Sequence, residues 1–184
     1  AQFELDNKIE TILRNKKINY KLFKGNVLNE YSSITKNDGT PFKVFSPFWR
    51  HAEQIYLDKV PPKENKIKKL NKKLSIFNSK NKPKDLLPKY DWYKKFENYW
   101  NVSEKDSHNE LQNFLKERIL KYSNDRDFPS LNGSSKLSPY IRNGQLNVNK
   151  IWKSCSSIKN KNIGVRKYLN ELGWREFSHS LINY

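Results

Sequence analysis

Methionine is missing from this sequence, and cysteine occurs once, at position 155, in 184 residues. A lone cysteine excludes a disulfide within the chain and a cysteine-based zinc cluster, and it fits reducing, cytoplasmic surroundings. The three histidines, at 51, 108 and 179, have no metal-ligand spacing. There is no P-loop, no G-x-G-x-x-G and no defensible Ser/His/Asp or Cys/His set, so neither a nucleotide triphosphatase nor a hydrolase has motif support. No apolar run approaches the ~18 residues of a membrane-spanning helix. The opening AQFELDNKIE lacks the basic-then-apolar layout of a signal peptide. Without an initiator methionine, the chain reads as a fragment or a processed piece.

Aromatic residues and positive charge are abundant. Aromatics make up 14% of the residues, which argues against disorder, and the net charge is +17. Such an excess suits a polyanion, nucleic acid before an anionic membrane. The abundance of Lys and Asn also matches codon bias from an AT-rich genome, so part of the charge has a bland origin.

Periodicity organises the chain. Apolar positions at 5, 9, 12 and 13 predict a helix over 5–15, and the alternation Ile18, Tyr20, Leu22 predicts a strand ended by Gly25. Helix then strand is what one layer of an α/β fold looks like. NDGTP at 37–41 is a turn. Ser46 as N-cap and Pro47 as first residue predict a helix through RHAEQIYL. Residues 59–95 carry thirteen lysines against Glu64, Asp85 and Asp91, with prolines at 61, 62, 83 and 88. A solvated linker is the favoured reading of that stretch, and sequence-independent phosphate attraction the lesser one. Beyond it the pattern is helical. Ser103 precedes a near capping box, and helices are expected near 104–122, 148–158 and 164–182, with a short one after Pro139. Asn147 caps VNKIWKSC, whose apolar face includes Cys155, an inert core thiol.

Two stretches carry candidate chemistry. In YLNELGWREFSHSL, Glu171, Trp174, Arg175 and Ser178 share one helical stripe, with Tyr168 a turn earlier. Val165, Leu169, Leu172 and Phe177 form the core side. A partly buried Glu171–Arg175 pair with Trp174 beside it accounts for the stripe as well as a ligand-binding face does. In GSSKLS (133–138), a glycine, three hydroxyls and a cation before a helix start make a phosphate cradle, although a serine-capped loop would read similarly. Flat aromatic surface with cations suits nucleobases or a flat cofactor.

Four blocks, in order, resemble the photolyase/cryptochrome family. GTPFKVFSPFWR (39–50) is similar to the segment G-x-P-[YF]-x-V-[FY]-[ST]-P-[FY] that closes the family's α/β domain. YSNDRDFPSLNGSSKLSPYIRNGQLNVNKIW (122–152) is similar to the opening of its flavin domain, with R-D-x-P and then [TS]-S-x-L-S-P. YLNELGWREF (168–177) resembles the helix [WF]-L-x-[EQ]-L-x-W-R-[ED]-F, and KINYKLFKGNVLNE (17–30) the preceding strand and loop.

The resemblance implies an α/β piece, the end of a Rossmann-like antenna domain, over 1–58. A basic interdomain linker over 59–102 and the first part of an all-α FAD-binding domain over 103–184 would follow. It implies FAD, a possible second antenna chromophore of folate or deazaflavin type, and a monomer acting on DNA that contains pyrimidine dimers.

By position, Tyr122, Ser134, Ser135, Lys136, Leu137, Ser138, Tyr168 and Arg175 would hold the cofactor. Glu171 and Trp174 would be catalytic, meeting the damaged pyrimidine pair, and Arg126 and Ser178 would join them in contacting DNA. The implied reaction is light-driven electron transfer from reduced flavin that splits a cyclobutane dimer. A carboxyl group there can hydrogen-bond the developing radical anion, and an indole can stack on a flipped base. A cryptochrome photoreceptor is the alternative, and a cofactor-free nucleic-acid-binding module a third class. Two positions depart from the family pattern. Lys136 replaces the usual Arg and loses its bidentate fork, and Ser178 stands where an aromatic is common. The family's electron-transfer tryptophans would lie beyond Tyr184.

Overall fold

The structure, a computed structural model, describes residues 2–21, 25, 27–30, 33–57, 88–159 and 162–182. Seven α-helices can be followed among them: α1 (Gln2–Asn15), α2 (Phe45–Leu57), α3 (Glu104–Asn113), α4 (Tyr122–Asp125), α5 (Ser138–Arg142), α6 (Val148–Ser156) and α7 (Ile163–Ile182). A π-helical turn (Phe114–Arg118) and a 3-10 turn (Ile119–Lys121) join α3 to α4, so the expected helix over 104–122 is helical throughout but changes winding along its length.

The described residues are mostly helical and contain no strand. Residues 18–21 of the expected strand are irregular, and 22–24 lie outside the described residues. The α/β character expected for 1–58 is therefore not seen here. Most of the lysine-rich stretch, 58–87, also lies outside the described residues, whereas Asp91–Asn98 forms a 3-10 helix with no buried residue.

Local chemistry explains the helix ends. The Ser103 hydroxyl accepts from the Asp106 N–H at 3.0 Å, and the Asn147 side chain accepts from the Asn149 N–H at 2.8 Å, each supplying a partner to a free first-turn donor. α7 starts on Asn162, whose side chain accepts from the Val165 N–H at 3.1 Å and donates to the Leu120 carbonyl at 2.9 Å. The α2 boundary differs from expectation. The helix begins at Phe45, so Ser46 and Pro47 lie inside its first turn, with the Phe48 N–H reaching back to the Val44 carbonyl. A proline is tolerated there because a first-turn N–H has no helical acceptor anyway. In the turn at 37–41, Gly39 has φ 78°, the Asp38 carboxylate accepts from the Thr40 N–H at 2.9 Å, and Thr35 bridges Pro41.

One hydrophobic cluster draws on residues from Leu28 to Phe177. α2 contributes Phe48, Trp49, Ala52 and Tyr56, α6 contributes Val148, Ile151, Trp152 and Cys155, and α7 contributes Val165, Tyr168, Leu169, Leu172 and Phe177. Each large side chain fully buried there is worth about 1.5–3 kcal/mol relative to exposure. Two glycines on α7 permit close packing. A Cβ on Gly173 would sit 2.5 Å from the Trp49 ring, and one on Gly164 would sit 2.3 Å from the Ile119 carbonyl oxygen. Trp49 is further held by its indole N–H, which donates to the Asn170 side chain at 2.9 Å. Residues 45–56 are thereby locked against α7. Cys155 is fully buried and its thiol is pushed up to about 12 by burial, as an inert core thiol should be.

Candidate flavin and DNA site

Helix α7 presents three groups of side chains along its length. The first is aromatic. Tyr168 is buried, with its ring 4.6 Å from Phe114 and 5.1 Å from Tyr122, the latter edge-on. Burial pushes the Tyr168 phenol up strongly and keeps it protonated. The Ser135 side chain lies near the phenol and acts on it against that upward shift of its pKa.

The second group is ionic. Glu171 forms an ion pair with Arg126, at the C-terminal end of α4, and lies 3.8 Å from Lys167. The Arg126 guanidinium also lies over the Tyr122 ring at 5.3 Å and contacts Asp127 at 3.2 Å. Arg175 pairs with its neighbour Glu176 at 3.0 Å. The bland alternative of a Glu171–Arg175 pair is thus replaced by two separate pairs.

The third group is a stack. Trp174 is 47% exposed, and its ring lies against Phe45 with centroids 3.7 Å apart and planes 11° from parallel. Ser178 donates its hydroxyl to the Trp174 carbonyl at 2.9 Å, an i to i−4 bond within the helix.

The 133–138 loop lies beside the ionic group. It approaches α4 so closely that a Cβ on Gly133 would meet the Asp125 backbone at 2.5 Å. Lys136 adopts a left-handed backbone, φ 54°, a conformation uncommon outside glycine. Ser134 and Lys136, with Arg126, Ser130 and Asn132, line an open groove of about 330 Å³. The reading of this loop as a serine-capped helix start is not realised, since α5 has Leu137 as N-cap and no side-chain cap bond. Leu137 is fully buried, so only its backbone can face a ligand, and its N–H lies 3.4 Å from the Ser135 hydroxyl. Ser138 opens α5 and is exposed. Two cations, several hydroxyls and an amide around a groove form a donor set suited to a diphosphate. The residues present therefore fit the phosphate portion of FAD.

Two residues of this region were not singled out from sequence. Glu176 is 4% exposed, and its carboxylate accepts from the Leu28 N–H at 2.8 Å and from the Arg175 guanidinium. Burial pushes its pKa up to about 7, against the pull of those donors. Its position could have been found, because 165, 169, 172 and 176 follow the spacing of the core face. Phe45 is the other, hidden because an aromatic at a helix start carries no sequence mark of what it will stack on.

A family model for DNA photolyase matches residues 1–68. The chain is 28% identical to the deoxyribodipyrimidine photo-lyase of Agrobacterium fabrum, covering 96% of this chain and 37% of the relative. It is 29% identical to the enzyme of the same name from Alkalihalophilus pseudofirmus, covering 94% of this chain and 36% of the relative. Among solved structures, a class III photolyase from Agrobacterium tumefaciens superposes with a TM-score of 0.74 at 27% identity, covering 97% of this chain and 38% of that one. The chain is similar over nearly its whole length to these photolyases, and it spans a little over a third of their length.

Proposed function

We propose that the complete protein carrying this chain is an FAD-dependent DNA photolyase that splits cyclobutane pyrimidine dimers in light. The observation that carries this reading is the Arg126–Glu171 ion pair, which lies one helical turn along α7 from the half-exposed indole of Trp174. A carboxylate, a guanidinium and an open aromatic face side by side can meet a flipped base and its phosphate together.

In this reading, Ser134, Lys136 and the backbone around Leu137 and Ser138 hold the diphosphate in the groove beside Arg126. Ser135 orients Tyr168, and the Tyr122–Tyr168 pair forms an apolar floor that keeps water from the cofactor side. When bound, FAD supplies the light-driven electron transfer. Arg175 faces the cofactor side, held in place by Glu176. Glu171 accepts a hydrogen bond from a pyrimidine ring N–H of the lesion, and Trp174 stacks on the extruded dimer. Arg126 releases part of its hold on Glu171 to meet the DNA backbone, which frees the carboxyl group for the lesion.

The test is direct. The complete protein, purified with reduced FAD, is illuminated with an oligonucleotide containing one cyclobutane dimer, and dimer loss is followed. Light-dependent splitting is the expected result. Absence of splitting despite bound reduced flavin would favour the photoreceptor reading instead.

A further inference from the structure

We propose that Phe45 is a positioning residue for Trp174, fixing the indole as a one-sided platform for a flat, base-like ligand. The inference rests on the lesion-binding reading above and adds the residue that makes the platform rigid.

A half-exposed tryptophan on a helix surface ordinarily samples several rotamers. Trp174 is held by a ladder of rings. Phe45 covers one face of the indole in near-parallel contact and continues as a second near-parallel layer onto Trp49 at 6.1 Å and 11°. Phe177 meets the Phe45 ring from the side, 5.9 Å away at 65°, and the Trp174 ring at 6.0 Å and 70°. The ladder ends in fixed structure, because Trp49 is 7% exposed, hydrogen-bonded to Asn170 at 2.9 Å and packed edge-on against Trp152 at 5.5 Å.

One face of Trp174 is therefore committed to Phe45, while the residue stays 47% exposed one helical turn from Glu171. A platform anchored this way loses little conformational freedom when a base stacks on it, which is how preorganisation raises affinity. Phe45 belongs to the first turn of α2, far in sequence from α7, so the stacking surface is assembled from both ends of the chain.

The test uses the complete protein and measures dissociation constants for dimer-containing and undamaged duplexes, with FAD content and melting temperature alongside. Phe45→Leu keeps apolar volume but removes the ring. It should weaken dimer binding about 3- to 10-fold, the size of one aromatic pair contact. Affinity for undamaged DNA and FAD content should stay unchanged. Phe45→Tyr should restore dimer affinity to within about twofold, since the stacking ring is kept. In Trp174→Ala, adding Phe45→Leu should produce no further loss. Unchanged dimer affinity in Phe45→Leu while Trp174→Ala loses it would overturn the positioning role alone. So would a Phe45→Leu loss that adds in full to that of Trp174→Ala. Unchanged affinity in Trp174→Ala would overturn the lesion-binding reading itself.

Discussion

Arg126 and Glu171 are forty-five positions apart, yet they form an ion pair that joins the end of α4 to the middle of α7. Both side chains are roughly a quarter to a third exposed, 26% and 30%, so solvent screening limits the strength of the pair. Arg126→Ala or Glu171→Ala should each cost about 1 kcal/mol of stability, and a double-mutant cycle should show coupling of no more than that. Urea melts of the four proteins would measure it. Additive losses would mean that the two side chains do not interact in solution.

Glu176 gives the fold a pH dependence of known sign. Its folded pKa of about 7 lies above the ordinary 4.5, so the native state holds a proton that the unfolded state has released. Its contribution to stability is fully present below about pH 4.5 and is lost as pH rises through 7, to the extent of roughly 3 kcal/mol. His179 works the other way. Burial first, then Arg175 and Arg142, lower its pKa, so its contribution falls as pH drops below the ordinary 6.5. Glu176→Gln should remove the loss between pH 5 and 8 and leave the His179 slope. An identical profile in wild type and Glu176→Gln would show that the carboxyl group titrates normally.

Gly173 leaves room for the Trp49 ring, which a Cβ would approach to 2.5 Å. Trp49 is held by Asn170 and cannot retreat freely, so Gly173→Ala should destabilise by about 1–3 kcal/mol through overpacking despite its better helix propensity. Thermal melts check this, and a stabilised variant would contradict the packing described.

Ser134 and Ser135 sit on the loop that Gly133 brings against α4. Replacing both with leucine in the complete protein should lower FAD occupancy, read from the flavin-to-protein absorbance ratio. The Ser135 change should contribute more, because that side chain also lies near the Tyr168 phenol. Full occupancy would mean that the loop does not touch the cofactor.

Much of this was legible in the sequence. The core faces of α6 and α7 follow from 3.6-residue spacing, and the caps at Ser103 and Asn147 from their residue types. Family blocks indicated Glu171, Trp174 and the 133–138 loop. Pairings across the fold were not legible, since periodicity reports which face a residue occupies but not what it meets. Glu171 and Arg175 looked like partners on one stripe, yet each found a nearer opposite charge, in Arg126 and in Glu176. The start of α2 was misplaced by two residues because Ser46 and Pro47 suit a first turn as well as a cap. Phe45 gave no sign of itself, because a stack depends on α7 arriving from more than a hundred residues away.

The central claim is that Glu171 meets the lesion, and the most direct measurement is the quantum yield of dimer splitting per folded, flavin-loaded molecule in Glu171→Ala, compared with wild type in the complete protein. Loss of one charge-adjacent hydrogen bond, about 1–3 kcal/mol, should weaken dimer binding and lower the yield while FAD content stays constant. A yield and an affinity equal to wild type, with only the melting temperature reduced, would contradict it and leave the Arg126–Glu171 pair a purely structural clasp.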